Sequence, residues 1–600
     1  MKSKTTAIWF VLAALLFAGV WLCHKFLQPA APETFTLLPG LRAADLTAIQ
    51  ISPLSALEIA AVRDGHAWAL QKPLAYPAQA AAIEALADAL EKLTPAIRLS
   101  AAEFRSHQNA DAEFGFDNPQ FSLVIVAGEQ RWQLLVGKKT APGDQVFIRV
   151  VGLDGAFVTD SSWLQLLPRT ADEWRDTALV DAASAIDWIV VTNGAKAMEF
   201  RRDATNQLWR MIRPLSARAD GGRLAAALSQ LQAGRVGQFV TDDPRADLGS
   251  YGLQPADLDV WLGQGTNVAN AIHAGKTTPD NSARLYARRE GWNTVVTATA
   301  ENFAPWRGAV NDFRDPHLLT LNAPVAEIEV RGENHFILQQ TNAGGWTVAG
   351  EKFSADAANV QDFLKLLGGL RVAEFVKDVV TAPDLQGFGF TPSSRQIILR
   401  GTAGDTNSVL AQLIFGTNET DRVLVKRGDE DFIYALKPAD FNSLFGPASL
   451  YATGWQFRDR RLWNFTETNV AQITLRQDGK TRVLLRTGDN KWSLAPGSQG
   501  IINPPAIEET AHRLGELAAA GWVAPNITAP EKFGLDANNL SLTVELKSGE
   551  KLKVDFGTEL PQAQTALAAV TFDGGRWAFV FPPVLYQFVT TYLTIPRNVP

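Results

Sequence analysis

Three groups of residues in this 600-residue chain could do chemistry by their type or spacing. The histidines are candidate metal ligands or bases: His24, His66, His107, His273, His317, His335 and His512. None stands in an H-x-x-x-H or H-E-x-x-H spacing, so no zinc site is predicted. The second group is an arginine–aspartate pair behind an aromatic. It reads Trp174-Arg175-Asp176, Phe313-Arg314-Asp315 and Phe457-Arg458-Asp459, with Arg597-Asn598 as an eroded fourth copy. Such a pair could bind an anion or orient a base. The third is a glycine between large apolar residues: Phe114-Gly115-Phe116-Asp117-Asn118-Pro119, Tyr251-Gly252-Leu253-Gln254-Pro255, Phe388-Gly389-Phe390-Thr391-Pro392 and Phe533-Gly534-Leu535-Asp536. A phosphate cradle needs several glycines opening a helix, as in G-x-G-x-x-G or G-x-x-x-x-G-K-[ST], and neither is present. Nor is a G-x-S-x-G elbow. No catalytic, cofactor-binding or metal-ligating residue is assigned, and the chain reads as non-enzymatic.

Spacing gives these motifs a different meaning. The glycines recur at intervals of 137, 137 and 145 residues and the arginines at 139, 144 and 139, one domain's length each time. A glycine among large apolar residues suits a turn with positive φ or a close approach of two elements. The proline behind it holds its predecessor extended and starts a strand. Each arginine falls where one repeat meets the next, where it can bind carbonyls or a carboxylate across the joint. We therefore read Gly115, Gly252, Gly389, Gly534, Arg175, Asp176, Arg314, Asp315, Arg458 and Asp459 as a structural repeat signature.

Further landmarks recur in the same order. Alternating apolar residues predict a strand at 46–52, 186–192, 325–331 and 470–476. A tryptophan follows each: Trp68, Trp209, Trp346 and Trp492. These read as core plugs, with sugar stacking as the alternative. Apolar residues spaced by three and four then predict a covering helix, as in Ile83, Leu86, Leu90 and Leu93, or Val360, Phe363, Leu364 and Leu367. A short apolar pair comes next: Phe239-Val240, Phe375-Val376 and Trp522-Val523, with Leu99 in the first copy. The glycine motif then leads into a hairpin whose second strand ends at Gly137, Gly275, Gly416 or Gly557.

Composition narrows the partners. The chain has 56 basic and 63 acidic residues, a net charge of −7, and no basic stripe, which argues against nucleic acid. Asp242-Asp243 and Asp429-Glu430-Asp431 read as solvated loops. The single cysteine, Cys23, excludes disulfides within the folded part. It lies in an apolar run at residues 7–23, behind Lys2 and Lys4 and with Trp9 and Trp21 near its ends. Seventeen helical residues span about 26 Å, close to a bilayer's hydrocarbon core. Bulky Trp21-Leu22-Cys23 suits neither a signal-peptidase nor a lipoprotein site, so the run reads as an uncleaved anchor. The basic end favours the cytoplasm and sends the rest across the inner membrane to the periplasmic side.

The tandem "fGLd-P", "vG" and "RD" pattern, carried best by residues 114–119, Gly137 and 174–176, resembles a bacterial domain-of-unknown-function family. That resemblance implies membrane-anchored envelope proteins whose genes accompany gliding-motility-type ABC transporters. The expected fold class is α+β: four tandem repeats after one N-terminal transmembrane helix, each a mainly antiparallel sheet with a covering helix. The expected divisions are an anchor at 7–23 and repeats at 32–178, 179–320, 321–462 and 463–600. The expected role is a scaffold or accessory subunit of an ABC-type transport system, with the membrane and an envelope protein as partners and no cofactor. Glycan or peptidoglycan binding, and a hydrolase with carboxylates from two repeats, are the alternatives.

Overall fold

Ile49 and Ile51 alternate with Gln50 and Ser52, which gives β1 (Leu46–Pro53) one face for a core and one for solvent. The computed structural model describes residues 35–594 apart from 66, 182–184, 322, 404–405 and 536–539, with Phe17 alone ahead of them. In the first repeat β1 is followed by β2 (Ile59–Asp64), β3 (Ala67–Lys72) and the short β4 (Tyr76–Pro77). Helix α1 (Ala80–Glu91) leads to β5 (Ile97–Leu99), and short helices α2 (Ala101–Ser106) and α3 (Ala110–Phe114) follow. The repeat closes with β6 (Phe121–Ala127), β7 (Gln130–Lys139), β8 (Gln145–Val150) and β9 (Ala156–Asp160).

The nine strands lie in the order β4-β3-β2-β1-β6-β7-β8-β9-β5, all antiparallel. Helix α1 therefore leaves one edge of the sheet and delivers the chain to the other. Along the way its Ile83, Leu86 and Leu90 pack on Ile49, Ile51, Leu123, Ile125 and Val136 in one core. Full burial of each such side chain contributes about 1.5–3 kcal/mol.

The second and third sheets repeat this nine-strand order, and among the described residues the fourth has eight strands, without a counterpart of β4. Their covering helices are Gly221–Ala233, Ala357–Gly369 and Pro504–Gly515. Asp220, Asp356 and Asn503 accept backbone N–H bonds at the starts of those helices, satisfying donors the first turn leaves open. The fold is a repeated α+β architecture. The chain forms two compact units, Met1–Phe313 and Arg314–Pro600, each holding two sheets. No helix among the described residues is long and apolar enough to cross a membrane. The expected anchor at residues 7–23 lies outside them apart from Phe17, as do Cys23, Asp536, Arg597 and Asn598.

The recurring glycine is one half of a contact. Gly115 ends α3 at φ 80°, a left-handed conformation that L side chains rarely adopt, and Gly252, Gly389 and Gly534 share it. A Cβ on Gly115 would also sit 2.9 Å from the backbone nitrogen of Lys138, and one on Gly389 3.0 Å from that of Thr417. The strand it meets carries the hairpin glycine. A Cβ on Gly137, Gly275, Gly416 or Gly557 would overlap the carbonyl oxygen of Phe114, Tyr251, Phe388 or Phe533. The strand then bulges, its register against the next one shifting after Val136, Ala274, Phe415 and Phe556. Lys276 and Thr417 donate their N–H groups to the motif carbonyls of Tyr251 and Phe388, at 2.9 Å each.

The open face of the third sheet carries an ion ladder. Glu329 accepts from Arg331 at 2.6 Å, Arg400 at 2.8 Å and His335 at 3.3 Å, and Arg400 also reaches Glu327 at 2.5 Å. Burial alone would raise the Glu329 carboxyl, but these donors and the Arg331 charge outweigh it and hold it at about 2, against an ordinary 4.5.

Two outcomes follow from this geometry. Gly115→Val adds left-handed strain and overpacking, and should destabilise the first repeat by roughly 2–4 kcal/mol in chemical denaturation. A variant that unfolds like the parent would show the contact to be idle. Glu329 has a depressed folded pKa, so its contribution is complete above pH 4.5 and is lost as pH falls towards 2. Glu329→Gln should remove that part of the acid sensitivity in melts across the window, and an unchanged pH profile would contradict the ladder's role.

Candidate functional site

A guanidinium stripped of water needs a carboxylate and further partners to stay charged. Arg175, Arg314 and Arg458 are only 1%, 2% and 2% exposed. Arg175 and Arg458 are positioned by the helix N-terminus of the repeat each closes. The N–H groups of Gln79, Asp220 and Asp356, just ahead of the covering helices, donate to the carbonyls of Trp174, Phe313 and Phe457, at 2.8, 2.8 and 2.7 Å. The arginine is the next residue in each case.

Arg175 then enters the second repeat. It forks onto Asp242, with Nη2 to Oδ1 at 2.6 Å and Nη1 to Oδ2 at 3.0 Å, and donates to Thr294 Oγ1 at 3.0 Å. Its guanidinium carbon lies 3.8 Å from the Phe239 ring centre and 4.2 Å from that of Tyr76. Phe239 belongs to the edge strand Val236–Thr241, the counterpart of β5, and Asp242 follows that strand. Arg314 donates to Asp378 at 2.6 Å and lies 4.1 Å from Phe375 and 4.9 Å from Phe432. Arg458 pairs with Asp573 and is ringed by Phe572 and Trp577, both at 4.4 Å, and by Phe353 at 5.0 Å.

The sockets share a register. Phe239, Phe375 and Trp522 occupy matching places on the edge strands, opposite Val296, Tyr434 and Phe579. The carboxylate stands three residues on, at Asp242 and Asp378. In the fourth repeat that place is Pro525, and Asp573 on the last hairpin supplies the charge instead. The first repeat departs further. Arg98 fills the aromatic's place opposite Phe157, Ala101 stands where the acid would be, and Arg98 lies 5.7 Å from the ring of its own repeat's Phe35.

The aspartates close the connector. Asp176, Asp315 and Asp459 each accept from the N–H two residues on, at 3.0 Å, the Asx-turn geometry. Asp176 also accepts from Arg289 at 3.0 Å, and Arg289 donates to the Tyr76 hydroxyl at 2.6 Å. In the third sheet Arg427 holds the Arg289 position and donates to the carbonyls of Asp315 and Leu318, both at 3.1 Å. In the fourth that position is Val570.

Two acidic runs expected to be solvated loops are exposed over most of their length, and each lends one carboxylate to a buried arginine. Asp242 is the fork acceptor for Arg175: burial raises its carboxyl, but the bonds from Arg175 and Thr294 and the arginine's charge carry it below the usual range. Glu430 accepts from Arg427 and from the Tyr434 hydroxyl, both at 2.7 Å. The available signal was the recurrence of Phe-Val-x-Asp at 239–242 and 375–378, which apolar landmarks alone conceal. The four repeat tryptophans, Trp68, Trp209, Trp346 and Trp492, are 3%, 6%, 4% and 5% exposed, so their rings offer no face to a sugar.

Among the described residues no group of three or more His, Cys, Asp or Glu is placed to hold a metal ion. Beside the first joint lies a cleft of 740 Å³ lined by Trp68, Asp176, Arg235, Asn270, Glu290 and Trp292, among others. Its Asp176 is engaged by Arg289, and Arg235 is held by the carbonyls of Gln232 and Gly234 at 2.9 Å each. The arrangement does mechanical work: it fixes one repeat against its neighbour.

Compared with known families, residues 68–207, 209–378 and 346–538 match one whose description is a domain of unknown function (DUF4340). The three segments begin at Trp68, Trp209 and Trp346, the same landmark each time. No curated protein matches the chain.

Arg175→Met should destabilise the pair of repeats it joins by roughly 3 kcal/mol in urea denaturation. Arg175→Lys should recover only part, because an ammonium neither forks onto Asp242 nor stacks flat on Phe239. Parental stability in the methionine variant would show that the joint does not hold the repeats.

Proposed function

The chain belongs to the DUF4340 family, and from that premise we propose that it is a non-enzymatic, membrane-anchored protein of the cell envelope, acting as a scaffold or accessory subunit of an ABC-type transport system. The observation that carries the reading is the use made of the buried arginine that closes each of the first three repeats. Arg175 and Arg458 each fix one repeat to the next, and Arg314 is bound by the same kind of socket. A chain built this way presents several sheet surfaces in set orientations within each compact unit, which suits holding partners in place. The apolar run at 7–23, behind Lys2 and Lys4, supports a single-pass anchor in the inner membrane with the repeats on the periplasmic side. The transport link rests on the resemblance of the repeat motifs to proteins whose genes accompany such transporters.

The test is crosslinking in intact cells, followed by detergent extraction and immunoprecipitation of the full chain. The expected result is a carbonate-resistant membrane protein that brings down an ABC permease or its extracytoplasmic partner. Release of the chain by carbonate would remove the anchor. Recovery of the anchored chain with no transport component would remove the transport role.

A further inference from the structure

The four sheets serve as controls for one another. A residue type found at the same register position in every repeat serves the fold; one found in a single repeat is surplus to it. The second sheet carries such a surplus on its open face. The strand Trp188–Asn193 turns Ile189 and Val191 into the core, and Leu258–Gln264 does the same with Val260 and Leu262. That alternation leaves Trp188 and Trp261 on the opposite face, both half-buried. Trp188 stands opposite Gly263, and Val190 opposite Trp261, so the two indoles are diagonal neighbours on adjacent strands. The matching positions for Trp188 are Ala48, Glu327 and Gln472, and for Trp261 they are Val124, Ile398 and Thr543. The fold requires neither indole.

The Trp188 indole lies over Gly263. A Cβ at that glycine would fall among Cε2, Cζ2 and Nε1 of the indole, so only a residue without a side chain lets the ring lie there. The corresponding residues are Val126, Arg400 and Glu545. Beside the indoles is a fixed polar row. His273 is held between Asp259, Nδ1 to Oδ1 at 2.5 Å, and Glu290, Nε2 to Oε2 at 2.7 Å, with the Trp261 ring edge-on at 5.8 Å. Arg288 stands opposite His273 on the next strand. On the far side Arg201 stands opposite Trp188 and bonds Glu199 at 2.8 Å.

We propose that the open face of the second sheet is a glycan-binding platform that takes an uncharged oligosaccharide. Its sugar rings stack their C–H faces on Trp188 and Trp261, and Asp259, Glu290, Arg288 and Arg201 hydrogen-bond the hydroxyl rims. Two neighbouring indoles flanked by oriented donors and acceptors match a pyranose ring, which is apolar on its faces and polar around its edge. The charges also fit. Asp259, Glu290 and Glu199 lie among Arg288, Arg201, Arg210 and Arg213, opposite signs interspersed without the strong positive field that favours a phosphate or an acidic polymer. The platform stands independently of any transport partner. It also differs from the four core tryptophans, which are plugs.

The test uses the full chain in detergent on a glycan array, then titrations with cellotetraose and tetraacetylchitotetraose followed by tryptophan fluorescence. Trp188→Ala and Trp261→Val install the residues the first repeat carries at those positions, so the fold accommodates them. Saturable binding to an uncharged oligosaccharide is expected. Each variant should bind at least tenfold more weakly, and the double variant should not bind at all, with melting midpoints close to the parent's. A blank array and flat titrations would overturn the proposal, as would undiminished binding by the folded double variant. Crosslinking from position 261 to a protein, with no glycan bound, would assign the face to a protein partner instead.

Discussion

A buried guanidinium needs a carboxylate and further partners, and that requirement organises the repeats. Arg175, beyond the Asp172 carboxylate three residues before it, meets both carboxylate oxygens of Asp242, the Thr294 hydroxyl, and the ring faces of Phe239 and Tyr76. Those residues come from three places: the edge strand of the second sheet, its last hairpin, and β4 of the first. They converge only if the helix carries the chain from one edge of each sheet to the other. The counterpart of β5 then lies at the far edge, where the preceding repeat arrives. The socket therefore depends on the crossover topology, and the crossover depends on the apolar stripe that seats α1 on the sheet.

The variations among the sockets separate what is essential from what can be supplied in another way. The carboxylate comes from the end of the edge strand at Asp242 and Asp378, and from the last hairpin at Asp573 once Pro525 takes its place. The charge is kept while its source moves. The aromatic moves less: Phe239, Phe375 and Trp522 hold one register position. In the first repeat the aromatic gives way to Arg98 and the acid to Ala101. There Phe35 stacks on Phe157, the residue opposite Arg98, at 6.1 Å.

Periodicity made much of this legible in the sequence. Central strands alternate and helices show a three–four stripe because one face of each is buried, so β1, α1 and the hairpin strands could be read directly. The glycine pairs were visible as intervals, but their cause was not: Gly137 must clear the carbonyl of Phe114, a contact between residues far apart in the chain. Strand β5 was hidden because three residues are too few to show alternation. The pairing of the exposed Asp242 with Arg175 was missed because the two are 67 residues apart and nothing local marks the pair. Local rules find the elements, and long-range charge pairing decides how repeats meet.

Repetition itself limited what could be found. A search for landmarks common to all four repeats selects residues the fold needs, and it found Trp68, Trp209, Trp346 and Trp492, all in the cores. Residues kept for another purpose depart from the pattern and escape such a search. Trp188, Trp261, Gly263 and His273 stand where sister repeats carry unrelated residues, among them Ala48, Val124, Val126 and Leu135. Their registers can be compared only once the strand pairings are known, because a shift of one residue would move either indole into the core. In a protein made of similar repeats the shared residues therefore account for the architecture. The place to look for recognition is the sheet that breaks the pattern while keeping its fold.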